Sequence, residues 1–458
     1  MNFIVEKEKR TKVIDNVEVL VAGGGTAGAI AAIAAARRGF KVMIVEQFSS
    51  LGGSATEGLV TPLMNTNIEG NPMCSSISDE INNRIIGLGF AAEDDSNNKG
   101  HFDPLMLKLV LEEMAAEAGV KILYYTYICD VYKEDDKIAG VIIENKGGRS
   151  AILASRVIDC TGDADVAYLC KVPMESGQID TGKNQPMSVR YMMSGIDIKK
   201  FSEFIKEVGG CDLYNPPFFH TAMVWGRNWQ LESVFKKALE NGDITYEDGL
   251  YWQVFGVPGR CDSLAFNCPE IFEGVDGTNP EDLTNAQSYA KKAIMRHIKF
   301  YKKYFKGFEK SYVTDIATQV GVRESRRIKG LYYLTDEDIF LNRKFPDYIA
   351  KSNYPVDVHG YELLNKYMDM DGKDDVPYYE IPYRCLVPLG IKNLIVAGRS
   401  ISASFTAESS LRIQPTVRAM GEAAGIAAAV SIEENKDFNE INGQYIHEEM
   451  IKNGANFG

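Results

Sequence analysis

The hydrophobic and polar positions near the start of the chain predict a strand, a helix and a second strand in close succession. Residues 16–23 (NVEVLVAG) are mostly apolar, which is typical of a strand buried in a parallel sheet. Residues 26–39 (TAGAIAAIAAARRG) are small on every side, which favours a helix packed tightly under a sheet and ended by Gly39. Residues 41–46 (KVMIVE) are apolar again as far as Glu46. The pattern therefore predicts a β-α-β unit.

A similar pattern returns near the other end of the chain. Residues 393–399 (NLIVAGR) predict a buried strand that ends at Gly398 and Arg399. After a polar loop, residues 416–430 (TVRAMGEAAGIAAAV) predict a helix of small residues, with Pro415 at or before its first turn. We expect this strand and helix to return to the first unit and extend the same sheet.

The residues between the two ends follow a different pattern. A long helix is predicted over 281–305, where apolar residues recur at helical spacing. Three apolar stretches favour strands, at 252–259, 263–269 and 313–322. A helix and several strands without a repeating β-α-β order favour an α+β arrangement for this part.

The turn between the first strand and the first helix carries the residues that a dinucleotide needs. Gly23, Gly25 and Gly28 follow the pattern G-x-G-x-x-G. The first permits a tight turn, the second lets the backbone approach a pyrophosphate, and the third lets helix and strand touch. The helix N-terminus, at Thr26 and Ala27, then presents free N–H groups and a positive dipole end to the phosphates.

Two further features bear on which dinucleotide is held. Glu46 lies 18 residues past Gly28, where an acid accepts hydrogen bonds from ribose hydroxyls and repels a 2′-phosphate, so NADP fits badly. The glycine motif alone leaves NAD and FAD open. The distal strand and helix suit a long cofactor gripped at both ends, because N–H groups near Thr416 and Val417 could meet the O2 edge of a flavin.

These segments resemble the FAD-dependent oxidoreductase family of the glutathione-reductase-like (two-dinucleotide-fold) flavoproteins. The likeness runs from about residue 15 to 432 and includes LGGSAT (51–56), GGRSAILASRVIDCTGDAD (147–165), GVRESRRIKG (321–330) and IPYRCLVP (381–388). The resemblance implies FAD as the cofactor. It also implies that Gly52, Gly53 and Ser54 lie along the flavin end and that the backbone of Ile128 contacts the adenine. Thr161 and Gly162 would lie where a strand turns back over the cofactor.

The resemblance and the patterning together predict an α/β fold. We expect a discontinuous Rossmann-like FAD-binding domain with an inserted α+β substrate domain. The FAD-binding domain would take residues 1–172 and 380–435, the substrate domain 173–379, and a polar C-terminal tail 436–458.

The charged motif GVRESRRIKG supplies the first candidates for catalysis. A flavin brings the hydride chemistry, so the protein must orient the substrate and handle one proton. Read as a strand, the motif places Glu324 and Arg326 on one face and Arg323 with Arg327 on the other. We expect Arg323 to face the substrate and clamp a carboxylate or ketone oxygen, with Glu324 and Arg326 holding the motif in place. The alternative is an Arg–Glu network that fixes the join between domains.

Three other residues are candidate catalytic or substrate-binding groups. His359 follows Asp357 by two positions, and a His beside a carboxylate can act as a general acid or base near neutral pH. A satisfied or surface histidine is the alternative. Tyr383 and Arg384 directly precede the distal strand, which predicts a position near the flavin ring, with packing as the alternative.

Composition and charge narrow the range of partners. The net charge of −13 disfavours broad contact with nucleic acid or anionic lipid, and no apolar run is long enough for a membrane span. The eight scattered cysteines lack a C-x-x-C pair, which favours a cytoplasmic protein with reduced thiols. We expect no metal site, because residues 369–375 (DMDGKDD) lack the distal Glu of a calcium loop.

The leading hypothesis is a FAD-dependent dehydrogenase or reductase of a small polar organic substrate, with an unidentified electron donor or acceptor. A flavin monooxygenase is the alternative among enzymes, although no second G-x-G-x-x-G provides a separate pyridine-nucleotide domain. A plain NAD dehydrogenase and a flavin-binding protein without turnover also stay open.

Overall fold

The structure is a computed structural model that describes residues 8–64, 67–68, 71–73, 75–93, 99–209, 214–215, 218–224, 231–360 and 378–457. Residues 369–375, considered above as a calcium loop, lie outside these ranges. The helices are α1 (Thr26–Arg37), α2 (Ser76–Gly87), α3 (Pro104–Glu117), α4 (Asp165–Leu169), α5 (Ile198–Glu207), α6 (Glu232–Glu240), α7 (Pro280–Tyr304), α8 (Asp336–Phe340), α9 (Phe405–Leu411), α10 (Gln414–Glu433) and α11 (Gly443–Lys452).

The strands of the N-terminal part are β1 (Lys12–Ala22), β2 (Val42–Val45), β3 (Asn67–Ile68), β4 (Asn71–Pro72), β5 (Ala91–Glu93), β6 (Lys99–Phe102), β7 (Lys121–Leu123), β8 (Tyr127–Glu134), β9 (Lys137–Asn145) and β10 (Gly148–Asp159). The later strands are β11 (Met174–Ser176), β12 (Met187–Ser188), β13 (Tyr191–Ser194), β14 (Tyr214–Asn215), β15 (Phe218–Phe219), β16 (Thr221–Val224), β17 (Trp252–Val257), β18 (Arg260–Phe266), β19 (Glu270–Ile271), β20 (Tyr312–Ile316), β21 (Arg326–Ile328), β22 (Tyr348–Ser352), β23 (Tyr379–Pro382) and β24 (Leu394–Val396).

The central sheet confirms the predicted α/β fold. Its order is β7-β2-β1-β10-β9-β8, and β24 pairs with the second half of β10. The strands β7, β2, β1, β10 and β24 are parallel, whereas β9 is antiparallel to both β10 and β8. β1, α1 and β2 form the predicted β-α-β unit, and the distal strand β24 returns to the same sheet.

Two helices from opposite ends of the chain pack backbone to backbone beneath this sheet. On α10, a Cβ added to Gly421 would lie 2.3 Å from the carbonyl oxygen of Ala27 on α1, and one on Gly425 would lie 2.2 Å from that of Ala31. The two helix backbones approach so closely that only small residues fit between them. α1 is buried on almost all sides.

The inserted part of the chain builds a second sheet. Its five antiparallel strands have the order β16-β17-β18-β13-β20. The long helix α7 matches the helix predicted over 281–305 to within one residue at each end. The side chain of Asn279 caps its start by accepting a hydrogen bond from the backbone N–H of Glu281. The aromatic core of this part of the chain contains Tyr191, Trp252 and Tyr301, all nearly fully buried.

The C-terminal segment, for which the sequence indicates a polar tail, contains the helix α11. Ile446 and Met450 of this helix are fully buried, and Phe457 beyond it is almost so. Among the helices that the structure describes, none has both the length and the apolar surface that crossing a membrane requires. In the same described ranges, no group of three or more His, Cys, Asp or Glu side chains could hold a metal ion.

Candidate active site

The glycine loop after β1 has the geometry that its sequence predicts. Gly23 has a φ of +86°, and a Cβ there would lie 2.7 Å from the carbonyl oxygen of Cys160. A Cβ on Gly28 would lie 1.9 Å from the carbonyl oxygen of Gly23, so strand and helix touch at this point. A Cβ on Gly25 would meet no atom closer than 3.9 Å, because Gly25 faces a cavity. Gly23 and Gly28 thus shape the loop, and Gly25 leaves its surface open.

The segment LGGSAT lies directly on the glycine loop. The backbone N–H of Gly52 donates to the carbonyl oxygen of Gly24 at 2.9 Å. The hydroxyl of Thr26 donates to the carbonyl oxygen of Gly52 at 3.0 Å. Gly53 approaches so closely that a Cβ would lie 2.8 Å from the Cα of Gly25. Five of the predicted residues then line one cavity of about 380 Å³, called here the large cavity: Gly25, Thr26, Ala27, Gly53 and Ser54.

A smaller cavity of about 90 Å³ lies beside Glu46. The carboxylate of Glu46 is 5% exposed, and it accepts hydrogen bonds from the backbone of Gly24 at 2.6 Å and of Phe48 at 2.8 Å. Burial raises the pKa of Glu46, although these two N–H groups oppose the shift. Ile128 also lines this small cavity. Glu46 therefore holds the glycine loop as well as facing the place predicted for a ribose.

The two cavities meet at the end of β10. Gly25, Gly53 and Thr161 line both of them, so the two cavities adjoin here, and together they are called the trough. The hydroxyl of Thr161 donates to Asp159 at 2.7 Å. This bond fixes the turn at which the two cavities adjoin.

The distal residues reach the same trough from the other end of the chain. Gly162, Gly398, Arg399 and Val417 line the large cavity. Arg399 donates to Asp163 at 2.6 Å, and its guanidinium lies so near Gly162 that a Cβ there would be 2.9 Å from Nη1.

Thr416 is the exception among these distal predictions. It lies outside the lining and is buried, and its hydroxyl donates to the carbonyl oxygens of Ile413, at 2.8 Å, and Leu411. Its side chain therefore ties the first turn of α10 to the residues that precede the helix.

A cluster of charged groups, buried except for the partly exposed Asp357, stands at one wall of the large cavity, which Arg323, Asp357 and His359 line. His359 Nδ1 lies 2.7 Å from Glu270 Oε1, and His359 Nε2 lies 3.1 Å from Asp357 Oδ1. Arg323 donates to Glu270 at 2.6 Å and to the carbonyl oxygen of Pro186 at 2.6 Å. The structure therefore brings together Arg323 and His359, two candidates that are far apart in sequence.

The electrostatics of this cluster favour a charged histidine. Burial lowers the pKa of His359, as does the charge of Arg323, but the carboxylates Asp357 and Glu270 outweigh both and raise it above its ordinary value. Burial alone would raise the pKa of Glu270, yet Arg323 and His359 hold it below the usual range. The two carboxylates therefore favour the imidazolium over the neutral ring.

The Arg-rich motif differs from its reading as one strand. Regular strand structure covers only Arg326–Ile328, so side chains do not alternate over residues 322–325. Glu324 instead pairs with Arg327, and both are buried. Arg326 pairs with Asp165 of α4 and lies over the ring of Tyr168. Glu324 is thus linked to the residue predicted to lie on the opposite face.

Tyr383 and Arg384 lie outside the lining of the large cavity, contrary to their predicted position near the flavin. They belong to a 3₁₀ turn, Tyr383–Cys385, rather than to an extended approach to β24. The Tyr383 hydroxyl donates to the carbonyl oxygen of Phe438 at 3.0 Å, and Arg384 pairs with Asp347 at 2.8 Å. Both side chains therefore have packing partners, and we do not retain them as substrate contacts.

Sequence reasoning missed two further arginines that line the large cavity, Arg190 and Arg412. Arg190 lies between β12 and β13, is 9% exposed and lines the cavity. Within the described residues its Nη1 has no hydrogen-bond partner. Burial lowers its pKa to about 10. The available signal was one arginine in the otherwise apolar run VRYMM, residues 189–193.

Comparison with known proteins assigns this site to a family. The family model for FAD-dependent oxidoreductases matches residues 18–450. The chain is 27% identical to digeranylgeranylglycerophospholipid reductase 1 of Methanococcoides burtonii over 41% of this chain and 47% of that protein. It is 31% identical to the thiamine thiazole synthase of Methanococcus vannielii over 33% of this chain and 58% of that protein. The chain thus spans about half the length of these curated relatives.

A solved structure also resembles the whole chain. It is a geranylgeranyl bacteriochlorophyll reductase-like protein from Thermoplasma acidophilum, 14% identical, with a TM-score of 0.46, and the alignment covers 96% of this chain and 83% of the other. The assignment depends on the family model, which spans most of the chain and includes both walls of the trough. The chain belongs to the FAD-dependent oxidoreductase family, and its cofactor is FAD.

Proposed function

We propose that this FAD-dependent enzyme is a dehydrogenase or reductase that exchanges a hydride with a small polar organic substrate in the large cavity. The observation that supports it is the cluster of His359, Glu270, Asp357 and Arg323 at the wall of the cavity that the glycine loop also lines. A hydride exchange needs one proton to be supplied or removed beside the substrate, and this cluster provides a site for it.

The residues of the trough fit FAD. Gly25 has open space where a Cβ would stand, as close approach of a pyrophosphate requires, and α1 begins at this point. Glu46 and Ile128 in the small cavity would hold the adenosine end. Gly53 and Val417 would lie along the flavin end in the large cavity. Bound there, the flavin would supply the two-electron chemistry.

Four other predicted contacts have supporting roles in this proposal. Gly28 brings α1 against the loop, and Gly52 ties LGGSAT to Gly24 through its backbone. Thr416 ties the first turn of α10 to the residue before the helix, and Arg399 donates a hydrogen bond to Asp163. These four residues would shape the trough for FAD, while the substrate meets the opposite wall.

His359 is the group that would hold and transfer the proton. One ring nitrogen faces Glu270 and the other faces Asp357, so the ring orientation is fixed on both sides. Two carboxylates stabilise the imidazolium, so His359 would act as a general acid towards a substrate oxygen or carbon when one ring N–H leaves its carboxylate and turns to the substrate. Arg323 orients Glu270 and so acts as a positioning residue for His359.

The test uses the purified FAD-loaded protein without oxygen. A library of small polar compounds is screened for loss of the oxidised-flavin absorption band, and the dithionite-reduced protein is screened for its return. We expect at least one compound to act in a single direction, and His359→Asn to slow that reaction about 100-fold or more with FAD retained. His447→Asn is the matched control, because His447 contacts Tyr348 outside the cavity.

Three outcomes would contradict the proposal. One, measured in a parallel assay with oxygen present, is NAD(P)H oxidation that requires a small compound and inserts oxygen into that compound, which is the behaviour of a monooxygenase. Another is equal rates for His359→Asn and the unchanged protein. A third is a FAD-loaded protein whose flavin neither gains nor loses electrons with any compound of the library.

A further inference from the structure

Arg190 differs from the other arginines that line the large cavity. Arg323 pairs with Glu270, Arg399 with Asp163 and Arg412 with Asp357. For Arg190, by contrast, the described part of the chain offers no carboxylate within ion-pair distance, and Nη1 lacks any hydrogen-bond partner. A buried guanidinium without a partner is costly, so its retention beside a cavity points to a ligand that completes it.

The groups around Arg190 are polar and mostly uncharged. Tyr251 and Tyr354 line the same cavity, and both are close enough to affect the pKa of Arg190. Asn267 donates to the Tyr251 hydroxyl at 2.7 Å, while its own Oδ1 has no partner within the described residues. A ligand at Arg190 would therefore find a guanidinium fork beside neutral hydrogen-bonding groups.

The charge balance of the wall favours an anion. Three arginines (Arg190, Arg323 and Arg412) and a protonated His359 face only two carboxylates, Glu270 and Asp357. An anion at Arg190 would offset part of this excess positive charge.

We propose that the large cavity takes an organic carboxylate and that the guanidinium of Arg190 binds its carboxylate group. A planar carboxylate matches the two parallel N–H donors of a guanidinium, which an ammonium cannot reproduce. The second, reacting part of the ligand would then extend towards His359. This last point rests on the proposed function, whereas the binding of a carboxylate does not.

The experiment measures binding to the oxidised FAD-loaded protein through the change in its flavin spectrum. The probes are propanoate, pyruvate and lactate, each compared with its primary amide, together with inorganic phosphate. The variants are Arg190→Gln and Arg190→Lys. Arg296→Lys is the control, because Arg296 pairs with Asp248 outside the cavity. FAD content and the thermal unfolding midpoint are recorded for every variant.

We expect at least one carboxylate to bind and its amide to bind far more weakly. Arg190→Gln should weaken that carboxylate about 10- to 100-fold, because one charged hydrogen-bonding group is lost. Arg190→Lys should weaken it less, and Arg296→Lys should leave it unchanged. Arg190→Lys retains a positive charge, so it keeps the test valid if Arg190→Gln fails to fold.

Several results would overturn the inference. They are equal binding of acid and amide, unchanged carboxylate binding in both Arg190 variants, tighter binding of phosphate than of every carboxylate, and loss of FAD from folded Arg190→Lys, which would assign the residue to the cofactor. Failure here is separable from failure of the proposed function. A neutral compound that reduces the flavin equally in the Arg190 variants keeps the function and refutes the carboxylate site.

Discussion

Replacing Gly25 or Gly28 by alanine separates the two tasks of the glycine loop, which are to leave room for the cofactor and to bring helix and strand together. Gly25 has φ −66° and ψ −163°, values that any L-residue adopts, and a Cβ there would meet nothing closer than 3.9 Å. Gly28 lies in α1, where a Cβ would be 1.9 Å from the carbonyl oxygen of Gly23. The same added methyl group is therefore tolerated by the protein at one position and excluded at the other.

The magnitudes follow from these contacts. For Gly25→Ala, the loss of freedom in the unfolded chain should stabilise the FAD-free protein by about 0.4–1 kcal/mol. Its methyl group would nevertheless stand where the pyrophosphate approaches, at an expected cost of about 1.5–3 kcal/mol in FAD binding, or roughly 10- to 100-fold in Kd. For Gly28→Ala, a helix gain of about 1 kcal/mol is outweighed by a backbone clash, so we expect a net loss of about 1–3 kcal/mol in the free energy of unfolding.

Two assays distinguish the variants. Urea unfolding of the FAD-free proteins measures stability, and titration with FAD, followed by quenching of its fluorescence, measures Kd. We expect Gly25→Ala to be as stable as the unchanged protein and to bind FAD poorly, and Gly28→Ala to be defective in both assays. A folded Gly25→Ala protein with unaltered FAD affinity would refute the placement of the pyrophosphate at Gly25. A fully stable Gly28→Ala would refute the close contact of α1 with the loop.

Two further predictions concern the charged wall. Arg323→Lys should keep FAD but reduce substrate-dependent flavin reduction at least about tenfold, because an ammonium cannot hold both Glu270 and the carbonyl oxygen of Pro186. Arg326→Lys should instead lower the thermal unfolding midpoint more than the rate. Equal rates for Arg323→Lys and the unchanged protein would contradict this prediction. The raised pKa of His359 means that its charged form stabilises the fold fully below its unfolded pKa of about 6.5 and that this contribution is lost as pH rises through the folded value. The stability difference between the unchanged protein and His359→Asn should therefore shrink as pH rises above about 6.5, and a difference that grows would show that the carboxylates Glu270 and Asp357 do not control the titration.

The parts of the site that the sequence predicts well are those set by local geometry. The turn at Gly23, Gly25 and Gly28 needs only a strand, three glycines and a helix within a few residues, so the motif determines its shape. Asp357 lies beside His359 in sequence and contacts it in space for the same reason. Glu270, the other partner of His359, belongs to a distant strand, and nothing local in the sequence indicates that pairing.

The residues that were misplaced or missed depend on long-range packing. Tyr383 and Arg384 precede β24 along the chain, but a 3₁₀ turn directs them to Phe438 and Asp347. Arg190 is distinguished only by the absence of a carboxylate near it within the described residues, and that property exists only once the surrounding strands have assembled. A charged residue in an apolar run is a usable signal, but it does not reveal whether the charge is paired.

The backbone contact between α1 and α10 has a consequence for the order in which the protein matures. Gly421 and Ala27 lie near opposite ends of the chain, so their contact closes a very long loop and forms only after almost all of the sequence has been synthesised. Until then the Ala-rich surface of α1 lacks its partner, and the wall formed by Gly398 and Val417 is missing from the trough. FAD capture is therefore a late event in biogenesis, and nascent chains that end before α10 leave α1 uncovered for chaperones or proteases.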